Sequence, residues 1–317
     1  MRMVADVIVV GAGVVGLTAA VRLQERGARV TVLTADPPER LVSTVAAAVW
    51  YPTHTDADPR VLDWATVTYQ EFRRQAGDGV PGVLLRRTRM LQRRAGDGLP
   101  WWAAAAGDVT VRDGTAPYAR ELRFVAPLAE MTTYLDWLRQ RVVDGGGQVT
   151  HRRVDRLDDL FAEAPVVVNA AGLAAGALCG DPTVLPIRGQ IVLVANPGLD
   201  ESVRDEEHPD GTAYVHPRSR DVVLGGSYQP GRADLDPDPE LRAGILRRCL
   251  ALVPELAVAP VLGERIGLRP GREGGPRVEA ENRPGGRLVH AYGHGGAGMT
   301  LSWGCADEVC ALALAGR

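Results

Sequence analysis

Lysine is missing from this chain: apart from six histidines, all 36 basic residues are arginine. A Schiff base to pyridoxal phosphate and the lysine of a phosphate-binding P-loop both need a primary amine, so both chemistries are excluded. Cysteine is scarce, at four in 317 residues. Cys179, Cys249, Cys305 and Cys310 form no C-x-x-C pair and have no histidine at zinc-binding spacing, so they read as free thiols. Neither sign of charge is in excess: a net charge of −3 makes no electrostatic case for nucleic acid or an anionic membrane. No apolar run approaches the ~18 residues of a membrane span. There is no G-x-S-x-G elbow and no H-E-x-x-H, which leaves hydrolase chemistry without a nucleophile or a zinc site. The first strand begins too early to leave room for a signal peptide, and the last residues carry no address tripeptide. The cytoplasm is the expected compartment.

What is present begins at once. Val7-Ile8-Val9-Val10 is an apolar run that breaks into Gly11-Ala12-Gly13-Val14-Val15-Gly16, with the spacing G-x-G-x-x-G. A helical pattern follows to Gly27, then a second apolar run over 30–33, then Asp36 twenty residues after Gly16. A buried strand, a tight turn and a helix with outward N–H groups make a pyrophosphate site, and an acid beyond the second strand can accept from a ribose hydroxyl. Gly11 permits the turn, Gly13 lets a phosphate approach the backbone, and Gly16 lets the helix lie on the strand. Dinucleotide binding follows from that order of elements; NAD and FAD both remain open.

Further along, the residues at 43–52 combine small side chains, which let a flat ligand approach the backbone, with Trp50 and Tyr51. Apolar spacing predicts helices over 63–74, 131–143 and 241–252, and strands over 83–90, 109–111 and 148–154. Trp101 and Trp102 read as core or lid packing. Val166-Val167-Val168-Asn169 runs into Ala170-Ala171-Gly172 in the style of the opening, so the dinucleotide domain is resumed after an insertion. Residues 187–195 and 213–226 are strand-rich, with an acidic loop over 197–211 between them, and a strand over 262–268 is broken by Arg269-Pro270-Gly271.

A last strand at 288–292 enters a second glycine turn, Gly293-His294-Gly295-Gly296-Ala297-Gly298, at the head of a helix. Its N–H groups and helix dipole, equivalent to about half a charge, would stabilise negative charge on a neighbouring ring such as a reduced flavin. Arg269 offers a two-pronged donor to a carboxylate, with Arg272 and Arg277 as competitors for that role. Tyr214 could add a phenolic donor or sit in the core. His294 could act as a base or orient its turn.

Together these blocks resemble the D-amino acid oxidase family, a flavoprotein group that includes the D-aspartate oxidases. The matching pieces are residues 9–20, 46–52, 168–172, 188–191, 214–217 with 224–226, 267–270 and 290–304, in the family's order. Tyr292-Gly293-His294-Gly295-Gly296 followed by Trp303-Gly304 is the most specific of them. The resemblance implies an α/β fold: a Rossmann-like FAD-binding domain with an inserted mixed-sheet α+β substrate domain. Residues 1–52, 142–186 and 268–317 would form the first, and 53–141 and 187–267 the second.

The resemblance also implies the cofactor and its contacts. FAD would lay its pyrophosphate on Gly11, Ala12, Gly13, Val14, Val15 and Gly16, and its adenosine ribose at Ala35 and Asp36. Ser43, Thr44, Ala47, Ala48 and Val49 would line the phosphate and flavin side, Val154 would face the adenine, and Gly172 would pass nearby. Gly295, Gly296, Ala297, Gly298, Met299 and Thr300 would cover the flavin's pyrimidine edge. Arg269 and Tyr214 would bind the substrate carboxylate and the Gly296 carbonyl its amine, fixing Cα–H over flavin N5. The family transfers hydride from Cα to N5 without an obligatory side-chain base, so no catalytic acid or base is expected here. The imino product hydrolyses to a 2-oxo acid and ammonia, and O2 reoxidises the flavin to give hydrogen peroxide.

Two departures bear on substrate. Asp210 stands where well-known members carry a lid tyrosine, four residues before Tyr214, and the preceding stretch 205–209 is acidic. No extra basic residue is obvious for a second carboxylate, so neutral D-amino acids are expected over D-aspartate. The expected partners are a D-amino acid and O2, with no nucleic acid, no membrane, no metal, and a homodimer as the candidate assembly. D-aspartate oxidase and a glycine/sarcosine-type amine oxidase are the nearest alternatives, with a non-catalytic flavin-binding protein or an NAD dehydrogenase further off.

Overall fold

The computed structural model describes residues 5–52, 55, 58–96 and 98–316. β1 (Val7–Val10) is buried at every position, the mark of a strand covered on both faces. It feeds α1 (Val14–Glu25) and then β2 (Val30–Thr34), which pairs parallel with β1. A short α2 (Val42–Val45) leads to α3 (Pro59–Gly77), whose Asp58 side chain caps it by accepting from the Arg60 N–H. Next come β3 (Val83–Gln92), α4 (Ala103–Ala106), β4 (Thr110–Asp113) and β5 (Arg120–Ala129), with β5 pairing antiparallel to β3 and β4. α5 (Met131–Asp144) spans the domain boundary expected at 142 and packs on α1. The chain then returns through β6 (Gln148–His151), β7 (Val166–Asn169) and α6 (Ala174–Cys179).

The second half opens with β8 (Val184–Ala195). The acidic stretch 197–211 is not all loop: β9 (Glu201–Asp205) lies within it, paired to β3 and to β10 (Ala213–Pro217). β11 (Asp221–Gly225), β12 (Gln229–Pro230) and α7 (Pro239–Leu252) follow. β13 (Val261–Arg272) does not break at Arg269-Pro270; it pairs with β8 as far as Arg272 and so crosses the boundary expected at 268. Its only strand partner among the described residues is β8, and proline's missing N–H is tolerated on such an edge. A hairpin of β14 (Arg277–Arg283) and β15 (Gly286–Tyr292) leads into α8 (Gly298–Leu314).

The strands form two sheets. One has six strands in the order β14-β15-β7-β1-β2-β6, parallel except for the edge β14. The other has nine, in the order β12-β8-β11-β10-β9-β3-β5-β4 with β13 also on β8. α1, α5 and α8 pack against the first sheet, and α3 joins α8 to β3 and β5 of the second, all in one large apolar core. Trp102 belongs to that core, edge-on to Trp50 and Tyr51, which settles its role as packing. α7 covers one face of the second sheet through Ile245 and Cys249. All four cysteines are unpaired. Among the described residues no helix is long and apolar enough to cross a membrane.

α3 and α8 cross at Gly304, where an added Cβ would fall 2.3 Å from Trp64 Cα. The N–H groups of Trp303 and Gly304 both donate to Thr68 Oγ1 there, at 3.1 and 3.0 Å. Gly304→Ala must push the helices apart, and denaturant unfolding should show a loss of about 1–3 kcal/mol. An unchanged midpoint would mean that the crossing has slack.

Candidate active site

A cavity of about 770 Å³ lies between the carboxyl ends of the six-stranded sheet and one face of the nine-stranded sheet. The ends of β1, β2, β7 and β15 open on it. In the sheet order, the chain leaves β1 toward β2 on one side and reaches β7 and β15 on the other. Open α/β sheets bind ligands at such a reversal.

The glycine turn shapes one end of the cavity. Gly11 has φ +115°, and a Cβ there would lie 2.2 Å from the Ala170 carbonyl oxygen. A Cβ at Gly16 would sit 2.0 Å from the Gly11 oxygen, so this glycine seats α1 on its turn and does not itself line the cavity. Gly11, Ala12, Gly13, Val14 and Val15 do line it, as do Ala35, Asp36, Val154 and Gly172. Ser43 Oγ accepts from the Val14 N–H at 3.1 Å, fulfilling one donor of the first turn of α1. Thr44 is not at the wall; its hydroxyl donates to the Leu41 carbonyl at 2.6 Å. Ala47, Ala48 and Val49 are at the wall, and Ala48 holds a left-handed φ of +53°, rare for a residue with a side chain.

From the far end of the chain, Gly295, Gly296, Gly298, Met299 and Thr300 line the same cavity, at the uncapped N-terminus of α8. Ala297 is fully buried in the core instead. Thr300 Oγ1 clamps Tyr51, donating to its carbonyl and accepting from its N–H, both at 3.0 Å. These two glycine turns make a cradle of backbone N–H groups and helix N-termini, the donor set a dinucleotide requires.

The other wall is the face of a sheet, and its residues alternate as a pleat demands. Gly189 and Ile191 of β8, Gly267 and Arg269 of β13, Tyr214 and His216 of β10, and Arg204 of β9 all line the cavity. Arg269 lies over Gly189, where a Cβ would come 2.3 Å from its Nη1. That nitrogen donates to the Ser227 carbonyl at 3.0 Å, and no carboxylate pairs with Arg269 among the described residues. Tyr214 in turn lies over Gly225 and Gly226, where added Cβ atoms would strike its ring. Burial pushes its phenol above the usual range, against the pull of Arg269 and Arg204, so it remains a donor.

The rival arginines are committed elsewhere. Arg272 pairs with Asp181 at 2.9 Å, and Arg277 holds Glu279 at 2.6 Å and the Tyr292 hydroxyl at 2.8 Å; neither lines the cavity. His294 does line it, with Nε2 buried and without a hydrogen-bond partner among the described residues. Asp210 is exposed and lies outside the lining.

Sequence reasoning missed Arg204, Glu206, His216 and Tyr51 as cavity residues. No extra basic residue is obvious from the sequence, yet Arg204 lines the cavity: it pairs in register with Tyr214 and so shares its face. Its Nη2 meets Glu206 Oε1 at 2.5 Å. The His216 ring stacks on Tyr214 with centroids 4.8 Å apart, and burial, aided by Arg204, pushes its imidazole well below the ordinary value. The available signal was the alternation of Ser202 and Arg204 with valine, obscured by the acidic run that follows.

Residues 6–312 match the sequence profile of the family described as FAD dependent oxidoreductase. The chain is 50% identical to a D-amino-acid oxidase of Rubrobacter xylanophilus, over 98% of this chain and 97% of that one. It is 42% identical to a D-amino-acid oxidase of Streptomyces coelicolor, over 97% and 96%. It is 34% identical to the human (Homo sapiens) D-aspartate oxidase, over 97% and 94%. Among solved structures, glycine oxidase from Geobacillus kaustophilus superposes with a TM-score of 0.82 at 20% identity, covering 98% of this chain and 95% of that one; this is a likeness of fold.

Burial alone pushes the His294 imidazole down to about 4. In the unfolded chain a histidine titrates near ~6.5. As pH falls between these values the unfolded state takes up a proton that the fold refuses, so His294 costs stability there and none above ~6.5. NMR of the ring nitrogens should show a neutral His294 from about pH 9 down to about pH 5. Protonation near the ordinary value would show that solvent reaches the ring.

Proposed function

We propose that this chain, which belongs to the FAD dependent oxidoreductase family, oxidatively deaminates D-amino acids, as the names of its 50% and 42% identical relatives imply for them. The observation that carries this reading is Arg269, a guanidinium in the cavity wall with no carboxylate of its own among the described residues, beside a protonated Tyr214. A carboxylate ligand completes both donors. Bound FAD supplies the electron sink that takes a hydride from the substrate and passes its electrons to O2. The residues present fit it: Gly13 lines the cavity without a side chain, where a Cβ would crowd Ser43 Oγ, and the heads of α1 and α8 face the cavity.

In this reading the six-stranded sheet and its helices hold the cofactor, and the nine-stranded sheet roofs the substrate. Arg269 and Tyr214 grip the carboxylate, and the Gly296 carbonyl receives the amine. With the substrate held at both ends, its Cα–H has one orientation, and positioning does the work that a base does elsewhere. His294 and His216 are neutral neighbours rather than proton acceptors in the working range, since both are hard to charge. The amine therefore arrives at the reacting geometry already neutral. The preferred substrates are neutral D-amino acids.

Anaerobic mixing with D-alanine or D-valine should bleach the yellow cofactor, and D-aspartate and glycine should do so poorly. A cofactor that never bleaches with any D-amino acid would sink the reading. For Arg269→Ala, losing a charge-assisted partner should raise KM for D-alanine by about 10–100-fold; an unchanged KM would move the carboxylate grip to another group. The kcat/KM for D-alanine should climb with pH as the free amine forms. Because burial holds the Tyr214 phenol above its usual range, that climb belongs to the substrate; a flat profile from acid to alkaline pH would contradict it.

A further inference from the structure

Arg204 and Glu206 have no part in the carboxylate grip, yet both line the cavity. Arg204 stands directly across the β9–β10 ladder from Tyr214, so the two side chains leave the sheet on the same face as close neighbours. The Arg204 side chain is 6% exposed, and its Nε is buried with no acceptor among the described residues. Its guanidinium carbon lies 3.8 Å from the centroid of the Tyr51 ring. Glu206 takes Arg204 Nη2 on one carboxylate oxygen at 2.5 Å and the Tyr51 hydroxyl on the other at 2.9 Å. Tyr51 is itself fixed by the two hydrogen bonds to Thr300. The carboxylate of Glu206 is thus anchored from two elements, over a guanidinium that still has a donor to give.

A buried arginine next to a small-acid site would ordinarily bind a second carboxylate. Here that place holds a carboxylate from the chain itself. We propose that Glu206 is a specificity-determining residue: as the built-in counter-ion of Arg204 it keeps D-aspartate and D-glutamate out of the site. An acidic substrate side chain would have to displace Glu206 from Arg204 or lie against its like charge, whereas an uncharged side chain meets neither obstacle. This rests on the reading of the site as a D-amino acid oxidase.

The test compares kcat/KM for D-alanine, D-valine, D-aspartate and D-glutamate in the FAD-loaded protein, in Glu206→Gln, and in the double variant Arg204→Met/Glu206→Gln. In Glu206→Gln the ratio of acidic to neutral substrates should rise by about tenfold or more, because Arg204 becomes available. The double variant should lose that gain, which a merely loosened pocket would keep. An unchanged ratio in Glu206→Gln, or a wild-type protein that oxidises D-aspartate as well as D-alanine, would overturn the role of Glu206. If Glu206→Gln fails to load FAD, the wild-type protein still decides. Succinate should then inhibit no more tightly than butanoate, and tighter succinate would overturn the proposal. Absence of oxidation of every D-amino acid would overturn both readings, whereas D-alanine oxidation with a flat ratio overturns this one alone.

Discussion

A guanidinium that lines a cavity without a carboxylate of its own is the condition on which the rest of this structure turns. Arg269 is kept in that state by what surrounds it: backbone at Ser227, a glycine beneath it at 189, and acids directed elsewhere. Asp181 is paired to Arg272, Glu279 to Arg277, and Glu206, which lines the cavity, to Arg204. A positive charge with unspent donors is the simplest recognition element for a small acid. The glycines at 189, 225 and 226 let two long side chains lie flat on the sheet without lifting it from the cavity.

The opposite wall uses the same economy of side chains. The turn at Gly11 and the turn at Gly295 each place backbone at the head of a helix, and the helices α1 and α8 then pack against each other. At those helix heads the positive potential comes from peptide dipoles, and the basic side chains that line the cavity outside the nine-stranded sheet are arginines, Arg40, Arg152 and Arg153, since there is no lysine. The nine-stranded sheet gives the cavity the side chains of Arg269, Tyr214 and Arg204, whereas the two glycine turns give it backbone polarity.

Much of this was legible in the sequence, and the failures share a cause. The opening strand-turn-helix, the return at 166–172 and the final turn are local, and glycine spacing reports them. β9 reads as loop in the sequence because Val203 is its only apolar residue: Ser202 and Arg204 take one face, and Glu201 and Asp205 flank Val203 on the other, where they pair with Arg89 and Arg93. β13 was cut short at Pro270 because nothing local says that this strand is an edge. Gly16, Thr44 and Ala297 sit in the right segments but turn away from the cavity, a matter of helix phase that spacing to a ligand does not encode. The choice of Arg269 over Arg272 and Arg277 depended on Asp181 and Glu279, contacts that only the folded chain brings together.

The pairing order of the six-stranded sheet also has a history in time. β1 is synthesised well before its neighbour β7 and before β15, at Gly286–Tyr292, which lies beyond β7 on the same side. α1 likewise waits for α8, at Gly298–Leu314, as its packing partner. A growing chain therefore carries β1 without its β7 neighbour, and the first glycine turn without the second, until those downstream segments have been made. A cavity walled by both glycine turns exists only once α8 has joined α1.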